Sequence, residues 1–231
     1  FTNVGAFIPF HLDPNYSLLF LDGRALISDY GQGGVNLNLG YRAFDPTINR
    51  ITTIAGFWDY DGAHSQPYYQ AGVSLESLGQ FFDARFNAYL PFSDNSVVLS
   101  DTVTGTPTFQ GMNIMFNRLR MIETAYKGFD GEVGGPMPVL GRYGFRGYLG
   151  AYYLDGNGDR SAGGVKVRVD ANITEDWQMS VSVADDRVFG TNVWMNVVLS
   201  LPDGRPSQFF RQPTVQQRLA ASLQRTYRVQ T

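Results

Sequence analysis

The chain has no cysteine, which excludes disulfides, thiolate metal sites and cysteine nucleophiles. It has two histidines, His11 and His64, too few for a histidine-rich metal centre. Charged residues make up 17%, below the usual quarter, and the formal net charge is −3. No strong attraction to nucleic acid or anionic lipid follows from that balance. No run approaches the 18 apolar residues of a transmembrane helix. No signal-like segment precedes Phe1, so the chain reads as a mature or trimmed domain. What is abundant is glycine (26), tyrosine (13) and phenylalanine (17). Over 231 residues this suits one β-domain, equally a membrane barrel or a soluble sandwich.

Alternation dominates the chain. In Gly34–Phe44, Val35, Leu37, Leu39 and Tyr41 alternate with Asn36, Asn38, Gly40 and Arg42. Period two is the mark of a strand with two unlike faces. The pattern recurs from Tyr69, Phe82, Val165, Trp177 and Val193, with Asp/Asn/Gly/Pro-rich turns between the runs. Twelve strands are expected, near 2–10, 16–27, 34–44, 50–60, 68–77, 80–91, 112–122, 124–134, 141–154, 162–173, 177–186 and 191–202. Most run 9–12 residues, the length that crosses a bilayer, against about 5–6 for a globular strand.

The polar face is not the Lys/Glu coat of a solvated sheet. It carries Asn, Gln, Gly and both signs of charge, which suits a narrow lumen where charges pair. Expected lumen-lining residues are Asn36, Asn38, Arg42, Asp59, Asp83, Arg85, Asp130, Glu132, Arg146, Lys166, Arg168 and Asp170. Tyr16, Tyr41, Tyr60, Tyr89 and Trp177 are expected in aromatic girdles. The 91–111 stretch breaks the strand spacing. An even strand count sets it on the side of the chain ends, unless a strand such as Ser96–Ser100 is hidden in it.

After residue 202 the period changes. Val215, Leu219 and Leu223 recur every four residues among good helix formers, with Thr214 as a candidate N-cap and Arg211, Arg218 and Arg225 seven apart. The expected organisation is a barrel over 1–202 and a helical or extended segment over 203–231 that threads the lumen. Arg218, Leu219, Leu223 and Arg225 would plug it, with the arginines meeting acids such as Asp22, Asp59, Asp83, Asp130, Glu132 and Asp170.

The order of motifs resembles the translocator barrel of inverse autotransporters, the intimin/invasin type. FIPFHLDPNYSLLFLDGR (7–24), LNLGYRAF (37–44) and GFWDYDGAHSQPYYQAGVSLES (56–77), with Asp59 and Asp61 in its acidic positions, are similar to the opening of that barrel. FNAYLPFSD (86–94), YKGFDGEVGGPMP (126–138) and RLAASLQRTYRV (218–229) resemble its later segments. The turn GAHSQP lacks the family's basic residue and GGPMP lacks its tyrosine, which points to a distant branch. The resemblance implies an outer-membrane anchor of a Gram-negative bacterium that exports and displays a C-terminal passenger such as an adhesin. Implied partners are outer-membrane lipid and lipopolysaccharide, the barrel-assembly machinery and the covalently linked passenger. The expected protein is a monomer with no nucleic-acid partner.

No catalysis, metal or cofactor is expected. His64–Ser65 is the one close His/Ser pair and lies in a solvated turn, and DGNGDRSAGG (155–164) lacks the Glu that closes a calcium loop. Two other readings stand beside the anchor: a small open diffusion channel, and a soluble β-sandwich binding module.

Overall fold

The structure is a computed structural model, and it describes residues 2–13, 16–28, 31–92, 96–156, 160–174, 177–199 and 212–231. Among these described residues it holds thirteen strands. They are β1 (Thr2–Asp13), β2 (Ser17–Ile27), β3 (Gly33–Asp45), β4 (Arg50–Asp61), β5 (Tyr68–Gly79), β6 (Asp83–Pro91), β7 (Ser96–Gln110), β8 (Asn113–Thr124), β9 (Lys127–Pro136), β10 (Phe145–Asp155), β11 (Ser161–Asn172), β12 (Trp177–Asp186) and β13 (Gly190–Leu199). Eleven form one antiparallel sheet in the order β1–β6 then β9–β13. β7 and β8 form a separate hairpin. No helix is long and apolar enough to cross a membrane among the described residues, which leaves crossing by strands untouched.

The sheet differs from the twelve-strand expectation at one place. β6 pairs directly with β9, from Asp83 opposite Gly134 to Tyr89 opposite Gly128. The expected strand at 112–122 is therefore not part of this sheet. It is β8, and its partner β7 fills most of the supposed 91–111 insertion. Strand length alone cannot separate a wall strand from a hairpin strand, since β8 is as long as β4 and β5, and its apolar residues on both faces mark it as different.

Burial follows the pleat. In β3, Asn36, Asn38, Gly40 and Arg42 are buried, while Val35, Leu37, Leu39 and Tyr41 are exposed, Leu39 at 63%. The polar residues thus face the interior and the apolar ones face out, the reverse of a soluble sheet. Tyr16, Tyr41 and Trp177 lie on the outer surface near strand ends. Tyr89 does not: it shares the inner face with Asp83, Arg85 and Asn87 and is buried. Two inner-face glycines make room for rings. A Cβ on Gly40 would lie 2.4 Å from the Phe20 ring, and one on Gly72 would lie 2.2 Å from the Phe57 ring.

The two ends of the sheet differ. One end carries the short connections at 46–49 and 80–82; here it is termed the entry mouth. The other carries the turns at 28–32 and 62–67 and the β7–β8 hairpin; it is the exit mouth. Both β1 and β13 begin at the exit mouth, since Thr2 pairs with Ile27 and Gly190 with Asp186. They run parallel to each other.

Candidate functional site

The site is the concave face of the sheet and the tail (212–231) that crosses it. The tail enters beside the 46–49 and 80–82 connections. There Val215, Leu219 and Leu223 pack with Leu18, Phe20, Ile51, Ala55 and Leu78 in one apolar cluster. It leaves at the exit mouth, where Val229 packs on Tyr68 and Ala125.

Between these apolar anchors the tail is held by charge. Arg218 grips both carboxylate oxygens of Asp83, at 3.0 and 2.6 Å, and also donates to the Gly79 carbonyl at 3.0 Å. Arg225 grips Asp59 in the same two-pronged way, at 2.6 and 2.9 Å, and donates to Asn38 Oδ1 at 2.7 Å. Its guanidinium also stacks 4.0 Å from the centre of Phe57 and 4.4 Å from that of Tyr227. At the exit mouth Arg228 Nε and the Val229 N–H both donate to Asp61 Oδ2. Bidentate pairs of this kind fix direction as well as energy.

The tail is not the helix that its composition suggests. Gln216–Ala220 form a single 3-10 turn, and the chain beyond it is irregular or extended. Thr214 Oγ1 accepts from the Gln217 N–H, as a cap would. The wall then takes the carbonyls a helix needs. Arg42 donates to the carbonyls of Leu219 and Ala221, Asn87 to that of Gln224, and Asn36 to that of Tyr227. The Thr226 N–H donates to Tyr89 Oη, which itself donates to Asp130. An irregular backbone cut off from water needs such partners at every step. Arg211 lies outside the described residues, as does part of the 155–164 loop.

The wall residues also pair among themselves. Glu76 links Arg42 and Arg85, Glu132 links Arg85 and Arg168, Arg168 pairs Asp170, and Lys166 reaches Asp130. Arg146 joins Arg218 on Asp83. Of the six acids expected to meet the tail's arginines, Asp59 and Asp83 do so. Asp22 pairs Arg24, and Asp130, Glu132 and Asp170 pair with wall cations. Asp61, Asn87 and Tyr89 were not among the expected site residues, although each stands on the polar alternation of its strand.

Beside the tail lies a cavity of about 610 Å3. The tail from Gln224 onward borders it on one side, and Lys166, Ser180, Ser182, Asn192 and Asn196 line the other. Asn3 of β1 and Trp194 of β13 both line it, so the two sheet edges curl toward a common space.

His64 sits at the exit mouth against Asp61, Glu123 and the Thr231 hydroxyl. Ser65 contributes its backbone N–H to Glu123, which ties the turn to β8.

No curated protein matches the sequence. A solved structure described as "Unveiling the Mechanism Behind the in-meso Crystallization of Membrane Proteins" shares the fold with a TM-score of 0.68 and 16% identity, covering 98% of this chain and 90% of its own. The family model described as "Inverse autotransporter, beta-domain" matches residues 2–195, and the chain belongs to that family.

Proposed function

We propose that the chain is an outer-membrane barrel whose lumen is occupied by its own C-terminal segment, and that it anchors and exports a passenger joined to that segment. Family membership carries the coarser part: an anchoring and translocating domain of the Gram-negative outer membrane, in a family not known for enzymes. The finer part rests on one observation. The tail runs from mouth to mouth along the polar face, fixed by Arg218–Asp83 and Arg225–Asp59.

In this reading Asn36, Asn38, Arg42, Asp59, Asp83, Arg85 and their neighbours line the lumen, and Arg218, Leu219, Leu223 and Arg225 plug it. The barrel closes through one further strand. β1 and β13 run the same way, so a strand running from the entry to the exit mouth pairs antiparallel with both. That strand makes twelve, an even number as bacterial single-chain barrels have. The exit mouth faces outward: the passenger leaves there, and long connections lie outside. The β7–β8 hairpin then lies outside the cell, not on the periplasmic side. Outer-membrane lipid and lipopolysaccharide surround the apolar wall, the barrel-assembly machinery inserts it, and the barrel works as a monomer joined to a passenger such as an adhesin.

The absence of native cysteine makes a topology test clean. In intact cells, Ala63→Cys in an exit turn is labelled by an impermeant maleimide, while Ile48→Cys in an entry turn is labelled only after the outer membrane is opened. The opposite order would refute the orientation. An open diffusion channel is the second reading, favoured by the cavity beside the tail.

A further inference from the structure

The hairpin of β7 and β8 is unlike the rest of the molecule. It stands outside the eleven-stranded sheet, and along most of its length both faces are exposed. Its apolar side chains are uncovered: Phe109, Ile114, Phe116, Leu119, Met121 and Ile122 are all more than two-fifths exposed. A two-stranded hairpin on its own is marginal in water, and a third strand is the usual remedy. An open strand edge is also a template for another extended chain. Among the described residues no strand pairs with the outer edge of β8.

The tail ends against the root of that edge. The Tyr126 N–H, two residues past β8, donates to the Gln230 carbonyl at 2.8 Å. Glu123 of β8 and the Thr231 hydroxyl both meet His64. Direction also fits. β8 runs from the hairpin tip toward the sheet, whereas the tail runs the other way as it reaches Thr231. The two are antiparallel, and the Tyr126–Gln230 bond has the form of a first rung.

We propose that the exported chain that follows Thr231 adds to β8 as a third, antiparallel strand. This rests on the reading of the tail as the link to a passenger. The segment that docks is extended, with apolar side chains at alternate positions to cover Ile114, Phe116 and Ile122. The hairpin thus becomes a platform that seats the first part of the passenger, and it resists the outgoing chain's retreat into the lumen.

Hydrogen exchange read by mass spectrometry tests this on the full-length protein and on the same protein ended at Thr231, both held in lipid nanodiscs. The expected result is exchange about tenfold slower across 113–124 in the full-length protein, with a smaller change across 96–110. Equal exchange of 113–124 in the two proteins, with tail amides 215–229 protected in both, overturns the docking alone. Freely exchanging tail amides in both proteins overturn the plugged barrel and the docking with it. Protection of β8 that is already present in the shortened protein and rises with its concentration assigns the edge to a second copy and overturns the proposal.

Discussion

At the scale of single residues, the account turns on which face each side chain takes. Leu39 is exposed on the outer wall and its neighbour Asn38 is buried against Arg225. Leu39→Lys is expected to cost about 2–4 kcal/mol near the bilayer midplane, while Asn38→Asp, which gives Arg225 a second carboxylate, costs far less. Reversible unfolding in lipid vesicles measures both, and a larger cost at Asn38 would invert the barrel. Arg225→Met leaves the Asp59 carboxylate buried without its main partner, at about 3–5 kcal/mol. Adding Asp59→Asn is expected to recover part of that loss; a double variant as unstable as the sum of both singles would mean that the pair does not couple. The strand positions Asn38, Leu39 and Asp59 were legible in the sequence because alternation labels the two faces, and Arg225 because the tail's arginines stand seven apart. Which acid meets which arginine was not, since that depends on how far along the bore the tail has travelled.

The element scale shows where local pattern fails. The tail's composition favours helix, yet its carbonyls are taken by Arg42, Asn87 and Asn36, residues between 137 and 191 positions away. Contacts so distant leave no trace in a local window. The hairpin was misread for the opposite reason. β8 has the length of a wall strand, although Ile114–Phe116 and Met121–Ile122 break its alternation, and only the direct pairing of β6 with β9 removes it from the sheet. That pairing predicts independence. Replacing 94–124 with a short turn is expected to leave barrel stability within about 0.5 kcal/mol, by thermal melting in detergent; loss of the folded barrel would show that the hairpin belongs to the wall. Gly72→Val, by contrast, drives a side chain into the Phe57 ring and is expected to cost about 1–3 kcal/mol. Within the hairpin, the hydrogen bond from Arg118 holds the Asp101 carboxyl below its usual range. A carboxylate shifted that way supports the fold above its ordinary pKa and loses that support as pH falls through the lowered value. Cross-strand order between β7 and β8 should therefore persist at mildly acidic pH, by exchange or NMR, and weaken only in stronger acid.

For the whole molecule, parity and polarity work together. Among the described residues the eleven-stranded sheet has two parallel edges, and in the proposed barrel one more strand in the opposite sense would close it into an antiparallel ring. The tail runs from end to end along the polar face of the sheet, with apolar clusters at its two ends and arginine–carboxylate clamps between them. The all-β antiparallel class with its polar face turned inward was legible because strand length, low charge and a mixed-sign polar face agree. Which strands share the sheet was not, because strand pairing is a long-range fact. The central claim is that residues 212–231 fill the lumen. Single-channel conductance of the purified barrel in a planar bilayer, with and without those residues, tests it most directly. The account predicts a small conductance for the intact chain, set by the cavity beside the tail, and a several-fold rise when 212–231 are removed from an otherwise folded barrel. An unchanged conductance would contradict it.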